Sequence, residues 1–325
     1  MNEDIRLLKM MVRGCYDLQA LRMQTGLRLC ANFRAKLKDK LKDTTAAVAD
    51  AADPDDDEEL SKEAEKVIDE LRESYKRLTD GVARNRTLPA QKGFHGDELI
   101  STYSELVLVD QYIGIERQET QQFRAMQGML DPIPIYQTFL QDQRGIGPAM
   151  AAVLITSFDV EKAHHVSQFW ALAGLDVAAD GWARSRRAEH LIDREYTDKN
   201  GEIKTRKGTT YNPWLRSKLL GALATSFMRQ DSPWREEYDN YKHRILSDPS
   251  RIKLSIVQWK KRHKAGDDLR QLWPPGRIHR AALRYMIKQF LGEFWDQWRK
   301  LEGLPVTERY AVEKLGMRPH GQAAE

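Results

Sequence analysis

With 325 residues, of which 41% are hydrophobic, the chain can hold two or three compact units with real cores. Charged residues make up 31% and leave a net charge of only +4, no run is apolar enough to span a bilayer, and the N-terminal MNEDIRLLKM lacks the basic, apolar and cleavage regions of a signal peptide, so a soluble, cytoplasmic protein is expected, with no membrane partner. The two cysteines, Cys15 and Cys30, fall in one predicted helix without a Cys-x-x-Cys pair and read as reduced thiols, which excludes a disulfide scaffold.

From Ile5 to Leu41, Leu8, Met11, Val12, Tyr16, Leu18, Leu21, Leu27 and Phe33 recur at helical spacing among Arg and Lys, predicting a long amphipathic helix. The acidic stretch DTTAAVADAADPDDDEELS breaks it; Asp55, Asp56, Asp57, Glu58 and Glu59 read as a solvated loop rather than a cation site. A second helix is predicted from Glu58 to Leu78, with Val67, Ile68, Leu71 and Tyr75 on one face. A third, beyond the loop RNRTLPAQKGFHGD, is predicted from Glu98 to about Met129. Residues 1–130 therefore read as a long helical bundle or coiled-coil arm, either a monomeric bundle or the interface of a homo-oligomer.

The texture changes after Asp131-Pro132. IYQTFLQDQ reads as a short helix, and QRGIGPAMAAVLITSF then sets Gly145-Ile146-Gly147-Pro148 between two helical stretches. One glycine suits a left-handed helix end, and the proline suits the first position of the next helix. The second glycine lets a ligand approach the backbone where turn amides point outward beside the positive end of a helix dipole, a place for a phosphate. His164-His165 reads as an exposed helix boundary, because no Cys or third His lies at metal-ligand spacing. Ser167 is the expected cap of the helix SQFWALAGL, which ends at Gly174.

Beyond it the chain loses its apolar period, and YTDKNGEIKT reads as a β-hairpin through Asn200-Gly201. Tyr211 and Trp214, flanking Asn212-Pro213, are candidates for stacking on an exposed base. Helices resume with PWLRSKLLGALATSFMR and REEYDNYKHRIL. The last, RIHRAALRYMIKQFLGEFWDQWRKLEG, carries Phe290, Phe294, Trp295 and Trp298, expected as core. The expected fold class is mainly α. A long-helix bundle over 1–130 is followed by a helix-hairpin-helix domain with a small β-hairpin insertion over 131–247, and basic, aromatic helices over 248–325 pack on that domain.

Between 251 and 288 the chain places Arg251, Lys253, Lys260, Lys261, Arg262, Lys264, Arg270, Arg277, Arg280, Arg284 and Lys288 against only Asp267 and Asp268, an asymmetry suited to nucleic acid. Helix–Gly-Ile-Gly–helix matches a pattern whose amides hold a DNA phosphate without reading bases. The ordered blocks QRGIGPAMAAVLITSF, FWALAGL, YNPWLRSKLL and HRAALRYMIKQFLGEFWDQWRKLEGLP, spread over roughly residues 130–310, resemble the C-terminal transposase domain of the bridge-RNA-guided insertion-sequence transposases. The resemblance implies DNA recombination in a mobile element, a nucleophilic serine in this domain, and an N-terminal RuvC-like domain with metal-binding acidic residues. Residues 1–130 lack alternating hydrophobic strands, so that half reads as absent and the long helices as the family's coiled coil.

The family's Ser-Gly element follows a Gly-Leu that Gly174-Leu175 matches. Asp180-Gly181 stands in its place here, and Ser185 is the nearby candidate nucleophile, without an identified base; Ser217, beside Arg216 and Lys218, is the next. The expected function is binding of duplex DNA. Gly145, Ile146 and Gly147 would hold a phosphate, and Arg184, Arg186, Arg187, Lys204, Arg206, Lys207, Arg216 and Lys218 would lie along the backbone. No cofactor is expected, and a divalent metal only if the chain is a recombinase. The alternatives are an active transposase using a serine nucleophile and a structured-RNA-binding protein; the isolated chain is expected to bind DNA without cutting it.

Overall fold

The computed structural model describes residues 3–37, 62–79, 88–264 and 271–307. The acidic run at 55–59 lies outside them. The chain is mainly helical and divides into two compact units, 2–129 and 130 onward.

The first unit is built on α1 (Glu3–Leu37), α2 (Lys62–Thr79) and α3 (Tyr103–Leu130). Side chains link α1 to α3 in descending order: Gln122 donates to the Met11 carbonyl at 3.2 Å, Arg22 pairs with Glu119, and Lys36 pairs with Glu105 at 2.6 Å. The two helices therefore run antiparallel. Phe33, Ile68, Leu71 and Tyr112 are each about 1% exposed and form the centre of their shared core with α2. The third helix starts later than the periodicity predicts. Thr102 and Glu105 form a reciprocal capping box, Glu105 N–H donating to Thr102 Oγ1 and Thr102 N–H to the Glu105 carboxylate, which sets the first helical residue at Tyr103.

In the second unit, residues 136–140 form one wide π turn, and α4 (Pro148–Ser157) follows the glycine turn. Every residue of α4 from Met150 to Thr156 is buried, and Ala151 and Ala152 allow close packing around it. Helix α5 (Val166–Leu172) begins at His165 and not at Ser167. The Gln168 side chain accepts the His165 N–H at 3.0 Å, so the box closes earlier than expected and Ser167 lies exposed inside the helix. His164 and His165 are both exposed at this boundary.

Strands β1 (Leu191–Thr197) and β2 (Ile203–Thr209) pair antiparallel from Leu191↔Thr209 to Thr197↔Ile203. Asp198 closes their loop by accepting the N–H groups of Asn200 and Glu202, and Gly201 takes φ +83°. The strand residues are almost all exposed, because neither face has an apolar alternation to bury.

Asn212 caps α6 (Pro213–Ser217), which passes through a π segment, Lys218–Leu223, into α7 (Ala224–Arg229). Helix α8 (Trp234–Ser247) lies along α10 (Pro275–Leu301). Between them β3 (Ile252–Lys253) pairs in parallel with β4 (Leu272–Trp273), and α9 (Ile256–Lys264) has no buried residue. The expected aromatic face of α10 is core: Phe290, Phe294 and Trp295 are fully buried and Trp298 is 6% exposed. Phe139, Phe158, Phe169 and Phe227 surround this face. Two polar groups tie it to the loop before α5. Trp295 Nε1 donates to the Ala163 carbonyl at 2.8 Å, and the buried Arg299 donates to the carbonyls of Val160, Ala163 and Pro305.

Candidate functional site

The loop joining α5 to β1 folds on itself before it reaches Ser185. Ala178 N–H donates to the Trp182 carbonyl, Gly181 N–H to the Ala178 carbonyl, and Arg184 N–H to the Asp176 carbonyl. Asp180 accepts the Trp182 N–H through Oδ1 at 2.9 Å. This Asx turn aims its other oxygen at His190, whose Nε2 lies 2.9 Å from Oδ2. On the opposite side of the imidazole, Nδ1 lies 2.9 Å from Ser185 Oγ and accepts the Ser185 backbone N–H at 3.1 Å. His190 is 3% exposed, and Ser185 is half-buried. A serine, a histidine and an aspartate thus stand in line.

The protonation pattern follows from these partners. The Trp182 N–H, and then His190, hold the Asp180 carboxyl below the usual carboxylate range. An ionised carboxylate only accepts, so His190 Nε2 carries the proton; the Ser185 N–H can only be received by a bare Nδ1.

Cations surround this loop. Arg187 lies 4.9 Å from the Trp182 ring centroid and Arg277 of α10 lies 4.8 Å from it; Arg277 and Arg251 lie 4.2 and 4.4 Å from the ring of Trp273. Arginine and tryptophan therefore alternate from the serine loop to β3. Arg216 of α6 donates to the carbonyl of Arg184, the residue before the serine, at 2.7 Å. Burial pushes Arg284 of α10 down to about 10, aided by Arg216 and Arg280, and no carboxylate pairs with it among the described residues. Burial likewise lowers Lys288, which lies 4.2 Å from the Trp170 ring.

The expected nucleic-acid contacts divide on this geometry. Arg186 is exposed and has no ion pair among the described residues. Arg184 is committed within the protein, its guanidinium gripping both oxygens of Asp176. Lys204 pairs with Asp198 and Glu202, Lys207 pairs with Asp193, and Arg206 lies over Tyr196, all on the exposed hairpin. Lys218 is half-buried and Ser217 is exposed on the helix that carries Arg216. Tyr211 does not offer a face to a base. It is 7% exposed, its ring is pressed on Gly174, and Arg216 lies over it.

The glycine turn rests on α7, whereas the serine loop rests on α6 and α10. Gly145 has φ +97°, its carbonyl accepts the Ser226 hydroxyl at 2.8 Å, and a Cβ there would meet Phe227 at 2.9 Å. Ile146 donates back to the Gln143 carbonyl. Gly147 is exposed, with φ −89° and open space where a side chain would stand.

Sequence reasoning gave no role to His190, Asp180, Trp182 or Trp273, and counted Arg284 only among the basic residues of 251–288. Asp180, Ser185 and His190 are spaced by five, a period of neither helix nor strand, so only the folded loop brings them together. Among the described residues no group of three or more His, Cys, Asp or Glu side chains could hold a metal ion, and no helix is long and apolar enough to cross a membrane. No protein-family model, no curated protein and no solved structure matches the chain.

Proposed function

We propose that the unit from residue 130 onward binds DNA through the phosphate backbone, in keeping with its resemblance to the C-terminal domain of the bridge-RNA-guided transposases. The observation that carries this reading is the arginine group itself. Burial makes it costly to keep Arg284 of α10 charged, and Arg216 of α6 and Arg280 of α10 add to that cost by repulsion. A polyanion relieves that repulsion and gains further from released counterions. The open Gly147 and the first-turn amides of α4 add a place for one phosphate, with residues 136–140 and α4 as the two arms of a helix-hairpin-helix. Helix α9, without a buried residue and basic throughout its last turn, extends the same charge. The N-terminal helices would supply self-association.

Equilibrium titrations with duplex DNA, single strands and folded RNA at matched salt test this. Duplex DNA is expected to bind tightest, with little dependence on sequence and with log affinity falling linearly in log salt. A preference for folded RNA at equal salt would transfer the interface to RNA.

A further inference from the structure

We propose that the β1–β2 hairpin is a ribbon that lies in the major groove of duplex DNA, an inference that rests on the DNA-binding reading above. The strand register sorts its side chains by charge. Because alternate residues point to opposite faces, the pairs Ile192↔Gly208, Arg194↔Arg206 and Tyr196↔Lys204 share one face, and Asp193↔Lys207, Glu195↔Thr205 and Thr197↔Ile203 share the other. Both carboxylates of the strands, Asp193 and Glu195, thus stand on the second face, where Lys207 pairs with Asp193. The first face carries Arg194, Arg206 and Lys204 and no carboxylate. Lys204 pairs with Asp198 and Glu202, whereas Arg194 and Arg206 have no ion pair among the described residues. Both lie along the ribbon. Arg194 crosses Gly208, where a Cβ would meet its Cδ at 2.8 Å, and Arg206 lies 5.2 Å from the Tyr196 ring centroid.

Charge and shape together select the occupant. Every strand residue from Ile192 to Lys207 is exposed, and a two-stranded ribbon that packs on nothing is marginal in water. A polyanion covers the cationic face and repels the carboxylates of the other, so only one orientation of the ribbon is favourable. Two strands about 4.8 Å apart, with seven residues each at about 3.4 Å, make a ribbon about 24 Å long. The major groove of B-form DNA, about 12 Å wide, admits such a ribbon, whereas the A-form groove of duplex RNA is deep and narrow. Each base pair presents at least one acceptor in that groove, so Arg194 and Arg206 find partners at any sequence. The ribbon therefore selects the shape of the groove and not the order of the bases.

Duplex carrying glucosylated 5-hydroxymethylcytosine provides the test, because the sugar fills the major groove and leaves the phosphates in place. Anisotropy at matched salt compares it with plain duplex DNA and with duplex RNA of the same sequence. The full chain is measured beside Arg194→Ala/Arg206→Ala, and beside a shortened chain in which Asn-Gly replaces residues 194–206 and joins the paired Asp193 and Lys207. Thr205→Val, on the opposite face, is the control. The full chain is expected to bind plain duplex at least about 10-fold tighter than the glucosylated one, and to bind duplex RNA more weakly than plain duplex DNA. In the double variant and the shortened chain the preference over glucosylated duplex is expected to fall to within about twofold, and in Thr205→Val to persist. Thermal melting checks that each chain is folded, and the shortened chain serves if the double variant is not. Equal affinity of the full chain for plain and glucosylated duplex, or a preference kept by the shortened chain, takes the ribbon out of the groove and leaves DNA binding standing. A preference lost in Thr205→Val and kept in the double variant overturns the choice of face. If the full chain binds no duplex at all, the DNA-binding reading itself falls, and the ribbon's occupant with it.

Discussion

Gly145 and Gly147 stand two positions apart, yet the backbone demands glycine only at the first. Gly145 has a positive φ and touches Phe227, so Gly145→Ala is expected to destabilise the second unit by on the order of 1–3 kcal/mol from backbone strain, with the ring contact adding to it. A Cβ at Gly147 meets no atom within 4 Å and the φ is ordinary, so in Gly147→Val thermal melting is expected to stay within a few degrees of wild type while duplex affinity drops uniformly across sequences. Undiminished affinity in the folded Val variant would remove the turn from the interface. The two thiols offer a second check at this scale. Burial pushes Cys30 up to about 11 and raises Cys15, so neither is expected to react measurably with iodoacetamide at pH 8 until the chain is unfolded.

Helix α10 has a buried face and a face assigned here to the proposed DNA interface. Its inner face, through Trp295, fills the centre of the aromatic core, and Trp295→Ala is expected to cost about 3–5 kcal/mol in chemical denaturation. Its other face carries Arg284 beside Arg216 and Arg280. Arg284→Met removes a charge that the free protein keeps at a cost, so it is expected to raise stability by about 1 kcal/mol while weakening duplex binding. A loss of stability with unchanged affinity would contradict the role given to that face.

In the first unit the segment entering α3 depends on a carboxylate. Burial raises Asp97, but the N–H groups of Ile100 and Leu99, the Ser74 hydroxyl and Arg77 outweigh it and leave it below its usual range. A depressed carboxyl stabilises the fold above its unfolded pKa of about 3.9 and loses that contribution as pH falls through the lower folded value. Asp97→Asn should therefore flatten the acid limb of the unfolding profile below about pH 4.

At the scale of the molecule, the proposed DNA interface depends on exposed charge. Arg186 and Arg187 are exposed on the serine loop, and each neutralised phosphate releases condensed counterions. Replacing both by Ala is expected to reduce the slope of log affinity against log salt by up to about two units, measured by anisotropy over a salt series. An unchanged slope would place them away from the nucleic acid.

Periodicity was enough to find the long helices, because burying one face of a helix writes a repeat of 3.6 residues into the chain, as at Val67, Ile68, Leu71 and Tyr75 or along α10, whereas α9, which buries no residue, left no such repeat. The hairpin was legible for a related reason, since the residues around Asn200-Gly201 obey local turn chemistry. Local signals also carried the glycine turn. Tertiary structure decided what the periodic signal does not encode. It pressed Tyr211 against Gly174, consumed Arg184 in an ion pair with Asp176, and moved the start of α5 to His165. It also set Asp180, Ser185 and His190 in one line. A loop without apolar repeat leaves no trace of its contacts in the sequence, and their distances exist only once backbone hydrogen bonds have folded residues 176–190 back on themselves.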